Sequence, residues 1–151
     1  MMLAEIVEAT AADVDHVQRF LRHDDVEEIS ALGRTTHDAV GRSVSMSIET
    51  RAGRINGTPV CVFGVGRPQM MSPIGNPWML GTEQLRCVSP KFLRRSRYIV
   101  QGWRDTHALL ENWVDARNLV SVAWLRWLGF KIDDAVPHGP HGVPFHHFWV
   151  R

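Results

Sequence analysis

The stretch that most constrains the fold starts at Ser89. Ser89 is a suitable helix N-cap with Pro90 at the first helical position. Ile99, Trp103, Thr106, Leu110 and Trp113 then repeat along one face, and Arg94, Arg97, Arg104, Asp105 and Glu111 take the opposite face. Short strand candidates flank this long helix, residues 78–82 before it and 113–116 after it. A strand, a helix and a strand in succession form a crossover, which sets the two strands parallel and adjacent in one sheet. The chain therefore reads as α/β.

Upstream, residues 4–9 read as an edge strand, and Thr10 with Asp13 three positions on forms a helix-opening cap. A helix from Ala11 follows, with Val14, Val17 and Leu21 at helical spacing, and a second over 24–32 runs through Val26, Ile29 and Leu32 until Gly33 stops it. Between 36 and 48, His37, Val40, Val44 and Ile48 fit one helical face, weakened by Gly41 and the serines. The period then changes. Residues 50–54 and 60–65, joined at Asn56-Gly57, predict an antiparallel hairpin, because Asn-Gly supplies the positive φ angles of a tight turn. Residues 67–77, rich in Pro, Gly and Met, read as a loop able to cover a site.

Downstream, Asn118 caps an apolar helix over 119–128 that Gly129 ends. Phe130 opens a closing pair of strands, 130–134 and 145–150, separated by the Pro- and Gly-rich residues 137–142, which suit neither helix nor sheet. There is no linker, repeat or low-complexity tract, so residues 1–151 predict one domain, a mixed central sheet with helices on both faces.

Composition narrows the function. No apolar run nears the roughly 20 residues of a bilayer span, and Glu5 and Glu8 interrupt the start where a leader needs apolar residues. Cys61 and Cys87 are too few for a disulfide framework or a Cys-rich zinc site, which points to a reducing compartment and a cytoplasmic location. A net charge of +1 lacks the signature of a nucleic-acid binder, so any basic site is local. Lys91 and Lys131 are the lysines; the other basic residues are arginines, which suit fixed contacts to phosphate or carboxylate.

The run Asn118-Leu-Val-Ser121-Val-Ala-Trp-Leu125-Arg-Trp-Leu-Gly129-Phe130 resembles the C-terminal signature of the GNAT superfamily of N-acetyltransferases, and the order of elements along nearly the whole chain agrees with it. The resemblance implies acetyl-coenzyme A as cofactor, its pantetheine arm lying where two central strands splay apart and pairing with strand backbone. It implies an amine as acceptor and direct transfer without a covalent enzyme intermediate. Asn118 either lines the cofactor groove or serves only as a cap, and the backbone around Glu83 to Arg86, Leu85 included, would meet the arm.

Two departures from that pattern matter. The glycine-bearing loop that cradles the coenzyme pyrophosphate is replaced by Arg86-Cys-Val-Ser89-Pro90-Lys91, leaving Lys91, Arg94 and Arg95 to meet phosphate by charge, or else to form a solvated helix face. Leu125 stands seven residues after Asn118, where many members place the tyrosine that protonates the leaving thiolate, and it has no proton to give. Glu83, near the end of the central strand, is the candidate base. A narrower resemblance, carried by Ser89-Pro-Lys-Phe, Trp103-Arg-Asp, Trp113-Val-Asp-Ala-Arg-Asn118 and Trp127-Leu-Gly-Phe130, is to GNAT-like proteins of short-tailed bacteriophages. It implies a phage or prophage origin and a rival role, a catalytically degenerate fold acting in virion assembly or as an interaction module with a phage or host protein.

Other clusters read blandly. His138, His141, His146 and His147 have no carboxylate or cysteine among them to complete a metal site, and His146 and His147 must point to opposite faces of a strand. Gly64-Val-Gly66 is a strand end, Cys87 reads as a small buried side chain, and most tryptophans fall on core faces. Trp78 with Met70-Met71 suits an acyl pocket, a lid or an oligomer contact. Nucleic-acid binding by the arginine face lacks interleaved aromatics.

Overall fold

The computed structural model describes residues 4–151, so the reading of the chain's start falls partly on residues 1–3, outside those described. The strands are β1 (Ala4–Glu8), β2 (Ser47–Ile55), β3 (Thr58–Gly66), β4 (Ile74–Gly81), β5 (Leu109–Asp115), β6 (Lys131–Ile132), β7 (Val136–His138) and β8 (Val143–Val150). They join one sheet in the order β1-β2-β3-β4-β5-β8-β6, with β7 also on β8. Every pairing is antiparallel except β4 with β5. Helices α1 (Ala11–Arg19), α2 (His23–Ala31) and α3 (Ala39–Ser45) cover one face; α4 (Pro90–Thr106) and α5 (Leu119–Trp127) cover the other.

Local chemistry sets the joints. Thr10 and Asp13 close a reciprocal capping box on α1. Asn56 and Gly57, at φ 51° and 82°, make the β2–β3 turn. Ser89 Oγ accepts from Phe92 N at 3.2 Å to start α4 with Pro90 first in the helix. Under α4 and α5 the core holds Phe63, Phe92, Val100, Trp103, Leu110, Val114 and Phe148. Under α1 to α3 it holds Val17, Ile29, Val40, Val62 and Leu80.

The structure corrects several boundaries. Helix α4 stops at Thr106, so Leu110, Glu111 and Trp113 belong to a strand. Thr106 Oγ1 donates to the carbonyl of Trp103, His107 Nδ1 sits 2.9 Å from the same oxygen, and His107 itself is extended. These local side-chain bonds compete for the carbonyls that the next turn would need. β4 and β5 are the adjacent parallel pair that the crossover requires, but their ladder lies at Ile74/Leu109 and Gly75/Leu110, not between 78–82 and 113–116. Ile48 joins β2 and leaves α3 shorter than 36–48, and β6 keeps only two residues. Residues 137 and 138, placed in a loop by their Pro and Gly neighbours, pair with β8. Of the six tryptophans only Trp103 is buried, because most lie at the margins of the helices and the cleft described below. Among the described residues no helix is long and apolar enough to cross a membrane.

Candidate active site

The short β4–β5 ladder is the origin of the site. Beyond Gly75 and Leu110 the side-chain amides of two asparagines replace backbone pairing: Asn76 Nδ2 donates to Glu111 O at 2.9 Å, and Asn112 Nδ2 to Pro77 O at 2.9 Å. Pro77 has no N–H to offer β5. Further along, Gly81 turns its groups out of the sheet, donating to Asp25 Oδ2 at 2.8 Å and accepting from Arg22 N at 2.8 Å. Strand groups alternate in direction, and residues 77 and 81 both face the β5 side, so the N–H and C=O of Met79 between them face the opening. The two strands splay around a cavity of about 400 Å³ that passes from the α4/α5 side, at Ser96, Val100, Trp124 and Leu125, to the α2/α3 side, at Glu28, Arg34, Trp78 and Trp113.

A buried polar cluster walls the α2 side. The Arg22 guanidinium is 5% exposed and donates to Asp25 through Nε and Nη2 at 3.0 and 2.9 Å, to Asn118 Oδ1 at 2.8 Å and to Ser121 Oγ at 2.9 Å. Four bonds to one cation satisfy a charge that would otherwise be costly to bury. Asn118 Nδ2 reaches back to Asp25 Oδ1 and Glu28 Oε1 at 3.4 and 3.5 Å. Glu28 Oε1 also accepts from Asp115 N at 2.7 Å. Burial pushes the Glu28 carboxyl up to about 7 from 4.5, and the Asp25 and Asp115 charges add to the rise against the hydrogen bonds from Asp115 N–H and Asn118. Asp115, despite its own burial, is held below the ordinary carboxylate range by Arg117, which bonds it through Nε and Nη2. The cleft thus presents one carboxyl poised near neutrality, a state suited to taking a proton from an ammonium.

Apart from Asn118 in the polar wall and Leu125 in the lining, the residues singled out from the sequence do not converge there. Glu83 is exposed, and its Oε1 accepts from His23 N at 2.8 Å, which ties it to the first turn of α2. Leu85 is 2% exposed in the core, with its N–H on Thr82 O and its carbonyl on Val88 N. Arg86 is exposed on the 3₁₀ turn Glu83–Cys87. Lys91, Arg94 and Arg95 line a separate groove of about 720 Å³ with Glu49, Arg51 and Tyr98; it shares Trp103 with the cleft but otherwise takes a different face of α4. The start of α4 offers few donors, since Pro90 has no N–H and Ser89 already holds that of Phe92. Asn118 begins α5 without a side-chain cap, because its amide is drawn into the Arg22 cluster.

Leu125 does line the cleft. Beside it Trp124 Nε1 donates to Ser96 Oγ at 3.3 Å with its ring against Phe92, while Arg97 donates to Trp127 O and stacks over the Trp127 ring at 4.1 Å, so α5 is tied to α4. Cys87 is exposed, not buried; Cys61 is the buried thiol, pushed up to about 12 by desolvation. His147 lies between Asp133 Oδ2 at 3.2 Å and Glu111 Oε2 at 3.1 Å, one carboxylate on each ring nitrogen, and His138 stacks on Trp113 at 3.9 Å. Carboxylates on opposite nitrogens do not converge on a point, and no group of three ligands placed for a metal is found among the described residues. Trp78 Nε1 donates to Ser47 Oγ at 2.6 Å, apart from the exposed Met70 and Met71. Glu28 escaped the sequence reading because it stands as one acid in the pair Glu27-Glu28; its position on the α2 side that carries Asp25 was the available signal.

No family model matches the sequence, and a search of curated proteins finds no match. Solved structures do match. A ribosomal-protein-alanine N-acetyltransferase from Brucella melitensis superposes with a TM-score of 0.68 at 16% identity, covering 97% of this chain and 98% of that one. The chain has the GNAT fold. A GNAT protein from Kribbella flavida matches at TM-score 0.66 and 20% identity over 97% of this chain and 96% of its own. An aminoglycoside acetyltransferase solved in complex with coenzyme A matches at 0.66 and 14% over 98% and 94%. At these identities the GNAT likeness is one of fold.

Proposed function

We propose that this GNAT-fold protein is an acyl-coenzyme A N-acyltransferase, with the acyl-pantetheine arm in the cleft between β4 and β5 and an amine entering from the α2/α3 side. The observation that carries the reading is the interrupted β4–β5 ladder, which leaves the Met79 backbone groups facing a cavity as an unpaired strand segment. An arm bearing amides pairs with such a segment as an added strand does, and the same fold holds coenzyme A in the aminoglycoside acetyltransferase. The bound coenzyme supplies an acyl group activated as a thioester. Glu28, near neutrality and lining the cleft, removes a proton from the acceptor amine; Glu83, engaged with α2, is the weaker candidate. Leu125 offers no proton, so the departing thiolate is protonated from the amine or from solvent.

A second reading is favoured by a specific contact. The Trp124–Ser96 and Trp127–Arg97 ties draw α5 onto α4 beside the cleft, and with Leu125 and the donor-poor start of α4 they suit a protein that keeps the fold as an interaction surface without coenzyme. The virion-assembly role and the phage origin belong to this reading. Titrating acetyl-coenzyme A against melting temperature decides between the two. Binding adds about 2.7 kcal/mol of stability at a hundredfold excess over the dissociation constant. No shift at millimolar ligand leaves the interaction reading.

A further inference from the structure

The acceptor end of the cleft carries an uneven set of charges. Its lining includes one carboxylate, Glu28, and two guanidiniums, those of Arg34 and Arg42. Arg42 is engaged by Asp38 at 3.5 Å and by Thr35 O at 3.1 Å. The Arg34 guanidinium is exposed and has no side-chain partner among the described residues, while its backbone N–H is fixed to Ile29 O at the end of α2. One acid beside two cations suits a single ammonium and repels a chain of them. A free guanidinium is a fork for a carboxylate or a phosphate.

From these groups we propose, resting on the acyltransferase reading, that the acceptor is a small primary amine that also bears an acid group, its ammonium held and deprotonated at Glu28 and its acid bound at Arg34. Past the end of α2 the chain turns at Gly33, with φ 73°, and the Arg34 N–H returns to Ile29 O at 3.2 Å, which sets Arg34 beside the residue that follows Glu28, and both side chains line the same cleft. The wall beside them is aromatic: Trp113 on β5 stacked with His138 on β7, and Trp78 on β4. Such faces take a flat or apolar side chain and also favour a nearby cation.

In the transfer the amine nitrogen forms a bond to the acyl carbon and the carbon–sulfur bond of the thioester breaks. One ammonium proton passes to Glu28 and then to solvent; the second leaves on the thiol. The charged groups around Glu28 are Asp25, Asp115, Arg22 and, beyond Asp115, Arg117. Arg22 and Arg117 are committed to Asp25 and Asp115, so neither competes with the ammonium.

The test compares phenylalanine with phenethylamine, which differ by one carboxylate, and with spermidine as a polycation, using the full chain and acetyl-coenzyme A. Phenylalanine is expected to be acylated with kcat/KM at least tenfold above phenethylamine, with spermidine lowest. Arg34→Ala is expected to bring phenylalanine down to the phenethylamine level while the melting shift given by acetyl-coenzyme A persists. Phenylalanine alone, without coenzyme, is expected to raise the melting temperature more than phenethylamine does. Equal or better use of phenethylamine or spermidine, or no binding of any of the three by a protein that still binds acetyl-coenzyme A, refutes the acceptor assignment and leaves the acyltransferase reading standing. Absence of the acetyl-coenzyme A shift itself removes both.

Discussion

Replacing Glu28 by glutamine tests whether the cleft stores free energy at that carboxyl. In the folded protein the group holds its proton up to about pH 7, and once unfolded only to its ordinary value of 4.5. Between those limits the folded chain binds more protons, so stability falls as pH rises through the window and the full cost is present above it. Two and a half decades at 1.36 kcal/mol each make that cost about 3 kcal/mol. Glutamine is neutral throughout and keeps an oxygen for the Asp115 N–H that Glu28 now accepts at 2.7 Å. Denaturant unfolding at pH 4, 6 and 8 should find the two proteins equal at pH 4 and the variant ahead by about 3 kcal/mol at pH 8. In a thermal melt that is a gain of roughly 6–12 °C for a chain of this size. The same variant should lose acyl transfer, since the retained cost then serves proton removal. Parallel stability profiles for the two proteins, or a variant less stable at pH 8, would refute the reasoning.

Three further outcomes are expected. Asn118→Ala strips an acceptor at 2.8 Å from the buried Arg22 guanidinium and should cost roughly 1–3 kcal/mol in chemical denaturation. Gly53→Ala places a methyl group 2.5 Å from the Phe92 ring and 2.9 Å from Cys61 Sγ, an overpacking worth about 1–3 kcal/mol that a melting curve would read. Changing Arg94 and Arg95 together to alanine should alter acetyl-coenzyme A affinity by less than about threefold by calorimetry, because both line the groove on the other face of α4; a larger loss would return them to the phosphates.

Much of the architecture was legible because its signals are local. Asn56-Gly57, the Thr10 and Asp13 box, and Ser89 with Pro90 act within four residues and came out as read. The end of α4 was misread because Thr106, Leu110 and Trp113 continue a helical spacing by coincidence, while the carbonyl competition at Thr106 and His107 is a matter of side-chain rotation that spacing does not carry. Among site residues the signal that the sequence does not carry is one of range. Asn118 has the composition of a cap, yet its partners stand 90 and more residues away, at the N-cap of α2 and on α2 itself. Glu83 sits near the end of β4 as expected, but the free N–H of His23 claims it first. Glu28 became a candidate only through the enclosure that Asp115 and Asn118 create around it.

The donor-poor start of α4 has a consequence for the conditions under which a ligand stays bound. Where a helix terminus and free cations grip phosphate, dissolved ions compete for the grip and binding weakens steeply as they are added. Here Pro90 and Ser89 have already spent the first amides, so on the proposed reading the hold would fall to strand backbone inside the cleft between β4 and β5. Hydrogen bonds and buried apolar contacts of that kind are indifferent to added electrolyte and are strengthened by ions that are excluded from protein surfaces. On the acyltransferase reading, acetyl-coenzyme A is then expected to stay bound at high salt.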